Sequence, residues 1–368
     1  MGIKKHRQVV KFLLAALVVI PGGFYANQFD VEPLKEASRL ESFLEHFSQK
    51  NKVGAAAVCV VTPEKGSLAT FGTLSNTTTI AVNEYAFFPL GSLTQPFTAL
   101  TLAHFVSLGS VDLDTAVSNF LPQSMELPSF KGRNILLGDL ATNTSSLPNL
   151  SNTLWNLGHF TSSSMYRYLA NYHLKAVPGS RWQISNMGYA FLSNLIARVG
   201  KKSYHDLVKE IVLNPLQLNE TMFVLKNKQV RGLVMGYDSM QPVSTLKREK
   251  IYSVFLGANG LYSTPHDMLK WLRFCTESKK SELSKPLSIT LKEYFDFPSF
   301  HLALPWKVIS DPRFSEKIYT FSSSMFGYTH FIGFIPGKRK GVCLMSNQAG
   351  IELEVQNAAL DLLAEIKE

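Results

Sequence analysis

The sequence predicts an α/β (α+β) fold: an antiparallel β-sheet flanked by N- and C-terminal helices, with a mostly helical region inserted between the sheet's two halves. Three observations predict it. An amphipathic helical stretch and two strand-like apolar runs lie near the start, two strand-like runs and a helix close the chain, and helical periods broken by Pro- and Gly-bearing loops fill the middle. The 368 residues, 45% hydrophobic and 18% charged, suffice for a sizeable core and exclude a disordered or fibrous chain.

The elements follow in order. Lys4, Lys5, Arg7 and Lys11 precede or enter the apolar run Phe12–Ile20, which Pro21-Gly22-Gly23 breaks. These are the n- and h-regions of an export signal, too short to span a bilayer comfortably. Cleavage after Ala26 would put the bulky Phe24 where a small residue is usual, so residues 1–26 read either as a signal peptide or as an uncleaved signal anchor. The expected localisation is periplasmic, or anchored in the inner membrane facing the periplasm. Val31 to Lys50 forms an amphipathic helix with Leu34, Leu40, Phe43, Leu44 and Phe47 on one side. Strands at about 53–62 and 67–73 are joined by a turn at Pro63-Glu64-Lys65-Gly66. Helical periods cover 92–109, 163–172, 186–199 and 203–213; strands return at 328–335 and 340–346, and a helix closes the chain over 352–367. One domain over 27–368 results, with a sheet lobe from 27–88 and about 300–368 and a mainly helical lobe over about 89–299.

Charge and cysteine usage narrow the function. The formal charge of +9 falls to +5 without residues 1–26, which hold four Lys/Arg and no acid. No Arg/Lys-rich run suggests nucleic-acid binding, and the modest excess reads as a solvated surface. Cys59 and Cys343 lie in apolar runs and read as small buried hydrophobes; a bridge between them requires their strands to be neighbours. No metal is expected, since His-Glu-x-x-His and Cys-x-x-Cys pairs are absent. No cofactor is expected either, because the glycines form neither a phosphate loop nor a dinucleotide fingerprint.

Ser92, in Phe88-Pro89-Leu90-Gly91-Ser92-Leu93-Thr94-Gln95-Pro96-Phe97, opens a helical stretch, where the helix dipole favours developing negative charge. The side chain at i+3 lies beside it. An amine there could take the serine proton, as in Ser-x-x-Lys hydrolases; Gln95 has no titratable nitrogen and cannot. Taken alone, the tetrapeptide reads far more readily as a helix cap than as a nucleophile motif.

Beyond Ser92, the chain resembles the class C β-lactamase and D,D-peptidase family from about residue 53 to 350. Phe88 to Leu100 resembles the family's nucleophile helix, and Gly109 to Pro122, beginning Gly109-Ser110-Val111-Asp112-Leu113-Asp114, its next segment. Ile135 to Pro148 resembles a helix and Thr-Ser-Gly-Leu-Pro loop, with Ser146 in place of the glycine. Pro178 to Tyr189 resembles the Pro-Gly to Tyr-x-Asn stretch, and Gly257-Ala258-Asn259-Gly260-Leu261-Tyr262-Ser263-Thr264 a Gly-Gly-Leu-Tyr-Ser-Thr segment. The resemblance implies a β-lactamase/transpeptidase-like fold with Ser92 in the nucleophile's place.

The departures fall on the reactive positions. Ile184 stands where the family has its proton-moving tyrosine, and an alkyl group moves no proton. Asn186 matches the asparagine that contacts the substrate's acylamino group. Phe321-Ser322-Ser323 aligns with Lys/His-Thr-Gly, so Phe321 removes a cation that would hold a carboxylate. The backbone N–H groups of Ser92 and Ser324 remain as oxyanion donors. Loss of a serine's activating partner costs roughly 10⁴- to 10⁶-fold in rate. Among the histidines, His104 lies 12 residues beyond Ser92, about 18 Å along a helix. His330, just after the third motif, reads more readily as structural. The expectation is therefore an exported relative with impaired catalytic machinery that binds in the envelope without turnover, its ligand a peptidoglycan fragment, acyl-peptide or hydrophobic ester. The alternative is a slow serine hydrolase using Ser92 with a non-standard base. The sequence sets no oligomeric state, and a membrane is a partner only if the signal stays uncleaved.

Overall fold

In the computed structural model, residues 35–122, 125–149, 160–243, 254–277 and 281–366 are described. Residues 1–26, and with them the signal or anchor reading, lie outside that range. Among the described residues no helix is long and apolar enough to cross a membrane.

The antiparallel sheet expected from the sequence is present, and it is larger than the sequence suggested. Strands β1 (Ala55–Val61) and β2 (Gly66–Gly72) come from one end of the chain. Phe88–Pro89 forms a short β3, paired with β6 (Tyr262–Ser263), while β4 (Gly236–Asp238) and β5 (Gln241–Val243) make a separate hairpin. The other end supplies β7 (Phe295–Phe297), β8 (Phe300–Leu302), β9 (Lys307–Ile309), β10 (Ile318–Met325), β11 (Tyr328–Ile335) and β12 (Lys340–Ser346). The eight-stranded sheet runs β2-β1-β12-β11-β10-β9-β8-β7, antiparallel throughout. The two halves of the sequence meet at β1 and β12.

Side chains alternate across the strands, so each face has its own core. On one face Ala56, Val58, Val60, Phe331, Val342 and Leu344 pack with the terminal helices α1 (Lys35–Asn51) and α8 (Glu352–Ala364). Leu40, Leu44 and Phe47 form the buried stripe of α1, the face that its amphipathic spacing predicts. On the opposite face Ala57, Cys59, Phe321, Ile332, Cys343 and Met345 join the core of the helical region. That region holds α2 (Gln95–Ser107), α3 (Leu137–Ala141), α4 (Ser162–Ala170), α5 (Asn186–Gly200), α6 (Pro265–Thr276) and α7 (Ser284–Leu291). Gln95 to Ala103 of α2 are all buried, so this helix is an internal post of the helical region and Phe97 stacks on Trp271 at 3.9 Å between ring centroids.

Cys59 and Cys343 face each other in register across β1 and β12, as neighbouring strands. Both thiols are free, as is that of Cys275 on α6, and all three are buried. The Cys59 thiol donates to the Pro265 carbonyl at 3.2 Å. Burial raises all three thiols well above their ordinary range, Cys343 to about 12.

Candidate functional site

Gly91 to Thr94 forms a 3-10 turn that runs directly into α2, and Ser92 sits in that turn, 7% exposed. Gly91 has φ +54°, a left-handed conformation that glycine adopts without steric cost. Pro96 falls in the first turn of α2, where the missing N–H has no helical partner to lose.

The structure brings Ser92, Gln95, Asn186 and Ser323 together. The Ser92 hydroxyl donates to Asn186 Oδ1 at 3.5 Å, a long contact, and Gln95 Nε2 donates to the same oxygen at 3.4 Å. Asn186 is the first residue of α5, whose N-cap is Ser185: the Ser185 hydroxyl accepts the Gly188 N–H at 2.8 Å and donates to the Pro148 carbonyl at 3.0 Å. Ile184, immediately before the cap, is half-buried and carries no polar atom on its side chain.

One residue that the sequence does not mark completes this group. Asn143, in the loop after α3, donates from Nδ2 to Gln95 Oε1 at 2.9 Å and accepts the Ser185 N–H on Oδ1 at 2.9 Å. Its own carbonyl accepts the Gln183 N–H at 2.9 Å, and its φ of +58° is one that asparagine tolerates better than most residues. Asn143 therefore ties Gln95 to the loop carrying Ile184. Its place beside Thr144-Ser145-Ser146 in the matched loop is the only sequence signal for it. Ser146, at the loop's glycine position, has φ +62° and accepts the Ala176 N–H at 3.0 Å.

On the sheet side, Phe321 is buried and meets the Trp306 ring edge-on at 6.4 Å. Alternation puts Ser323 on the same face, 3% exposed, and its Oγ accepts the Ser92 N–H at 2.9 Å. Ser322 and Ser324 point to the other face; Ser324 is exposed, with its hydroxyl 3.3 Å from that of Thr329. The backbone donor at Ser92 is thus already engaged within the chain.

His330 lies opposite Ser323 in register, fully buried. Its Nε2 is 2.8 Å from the Pro89 carbonyl and its Nδ1 accepts the Ser346 N–H at 3.4 Å, partners that fix the neutral tautomer with the proton on Nε2. Burial lowers its pKa to about 4. It fastens β3, and so the turn bearing Ser92, to the sheet.

What surrounds the Ser92 hydroxyl is a chain of carboxamides and hydroxyls. They can orient a ligand, donate and accept hydrogen bonds, and exclude water, and none titrates near neutral pH. Among the described residues, Glu293, Asp296 and His301 are the group whose ligand atoms lie within 4.8 Å of one another. Those atoms are paired already: Lys317 Nζ contacts Glu293 Oε2 at 2.8 Å, and His301 Nδ1 lies 2.6 Å from Asp296 Oδ1.

The architecture has close counterparts among solved structures. A β-lactamase/D-alanine carboxypeptidase from Yersinia pestis, solved with citrate, superposes with a TM-score of 0.78 at 19% identity over 90% of this chain and 98% of that one. A class C β-lactamase gives 0.79 at 18%, over 94% and 99% of the two chains. In sequence, the D-alanyl-D-alanine-carboxypeptidase/endopeptidase AmpH of Escherichia coli (strain K12) is 24% identical over 338 residues, 86% of this chain and 85% of the relative. A Yersinia enterocolitica β-lactamase is 20% identical over 92% and 94% of the two chains. The Beta-lactamase family matches residues 40–366, nearly the whole described fold, and the chain belongs to the β-lactamase family.

Proposed function

We propose that this protein is an exported, non-turnover member of the family, a binding or regulatory relative in the cell envelope whose groove takes a peptidoglycan fragment or similar acyl-peptide. The observation that carries the reading is the hydrogen bonding of Ser92: its hydroxyl reaches the Asn186 carboxamide and its neighbour Gln95 is itself held by Asn143. An alcohol becomes an effective nucleophile only when a group of suitable pKa takes its proton. Gln95 and Ile184 stand where the family places its lysine and tyrosine, and neither accepts a proton near pH 7. The kinship with carboxypeptidases supports a cell-wall peptide as ligand class.

A second reading, a slow hydrolase of neutral or hydrophobic esters, is favoured by the survival of Ser92 itself beside Asn186. Intact-mass measurement after incubation with a reporter penicillin and with an activated ester separates the two. The expected outcome is an unmodified protein. An adduct present in the wild type and missing in Ser92→Ala would overturn the non-turnover reading.

A further inference from the structure

An amide N–H makes one good hydrogen bond, and that of Ser92 is spent on the Ser323 hydroxyl at 2.9 Å. The space over this peptide is also taken: a Cβ added at Gly91 would come within 2.6 Å of Ser323 Oγ. In acyl transfer, a backbone donor beside the nucleophile works by placing its nitrogen 2.7–3.1 Å from the oxygen on which charge develops, with the N–H aimed at it. Ser323 Oγ occupies the place that such an oxygen would need with respect to Ser92. Two oxygens cannot share it.

We propose that Ser323 is a built-in plug, a specificity-determining side chain whose hydroxyl fills the oxyanion position and keeps acyl carbonyls from seating against Ser92. The inference rests on the non-turnover reading and deepens it, yet it concerns a different requirement. Gln95 and Ile184 bear on where a proton goes; Ser323 bears on where negative charge is stabilised. Restoring a base alone would leave the second obstacle in place.

The surroundings hold the plug in position. Ser323 pairs with His330 across β10 and β11, and His330 is anchored to the Pro89 carbonyl on the strand that leads into Ser92. The backbones on both sides of the Ser92–Ser323 contact are therefore fastened to one another. Opening by strand movement would break this hydrogen bonding, so rotation of the Ser323 side chain is the low-cost route.

A boronic acid tests the oxyanion position without a leaving group. Ser92 Oγ would add to the trigonal boron of phenylboronic acid, forming an O–B bond; the serine proton passes to solvent, and the tetrahedral boronate carries the negative charge beside the Ser92 N–H. Affinity is read by boron NMR and calorimetry on the full chain. Ser323→Gly is expected to bind at least ~10-fold more tightly than wild type, the scale of one recovered charge-assisted hydrogen bond. Adding Ser92→Ala should abolish that gain. Glycine weakens a strand, so Ser323→Ala serves as the second variant: it removes only the hydroxyl, and a smaller gain in affinity is expected. A folded Ser323→Gly or Ser323→Ala whose affinity stays within about twofold of wild type overturns the plug. So does a wild-type adduct as tight as that of Ser323→Gly. Failure of the underlying reading is separately visible, as wild-type turnover of an activated ester.

Discussion

Asn143 shows how a single carboxamide can shape a site without touching the candidate nucleophile. It donates to Gln95 Oε1 and accepts from Ser185 N–H, both buried. Asn143→Ala would leave both partners without a bond and is expected to cost about 1–3 kcal/mol, measured as a lowered midpoint in urea. Asn143→Asp should also destabilise, because a buried carboxylate cannot donate to Gln95 Oε1. Part of this neighbourhood is legible in the sequence. The spacing of Ser92 and Gln95 follows from helical geometry alone, and Ile184 and Asn186 from their order beside a Pro-Gly turn. The engagement of the Ser92 N–H is not legible, since it joins residues 231 positions apart and depends on the Ser323 hydroxyl, at a position where the resembled motif has a glycine and no side chain.

Strand β11 carries the clearest pH dependence. His330 is neutral in the fold, donating to Pro89 and accepting from Ser346; a second proton would set Nδ1–H against the Ser346 N–H. Its pKa is about 4 when folded and about 6.5 in an unfolded chain. Between these values the unfolded state binds more protons, so stability is full above about pH 6.5, falls as pH drops towards 4, and levels off below that. The loss amounts to about 3 kcal/mol. Denaturant titrations from pH 7 to pH 4 should show this slope, and His330→Gln should flatten it while lowering stability at pH 7. Element by element, the sequence places β1, β2, β11, β12 and both terminal helices close to their observed bounds, because long apolar runs carry a strong period. Strands β7, β8 and β9 are three residues each, with His301 and Asp296 among them, too short and too polar to show alternation. The 3-10 entry to α2 likewise reads as plain helix in the sequence, since both share their first-turn chemistry.

At the scale of the whole molecule, the open sheet is joined through β1 and β12, two strands from opposite ends of the sequence, with the helical region between them in the chain. The order of segments along the chain made that topology readable. That junction also brings three thiols into the core from three separate stretches: Cys59 and Cys343 opposite each other across β1 and β12, and Cys275 on α6, the helix that lies on those strands. At pH 8 they are both shielded and protonated, since burial has raised their pKa values. The three sulfurs thus form an internal clock for opening of the fold. Incubated with an alkylating reagent in native buffer, the protein should label only as fast as it opens, and the three labels should arrive together if sheet and helical region separate as one cooperative unit. A singly alkylated species that builds up first, mapped to Cys275, would instead time the lifting of α6 from an intact sheet.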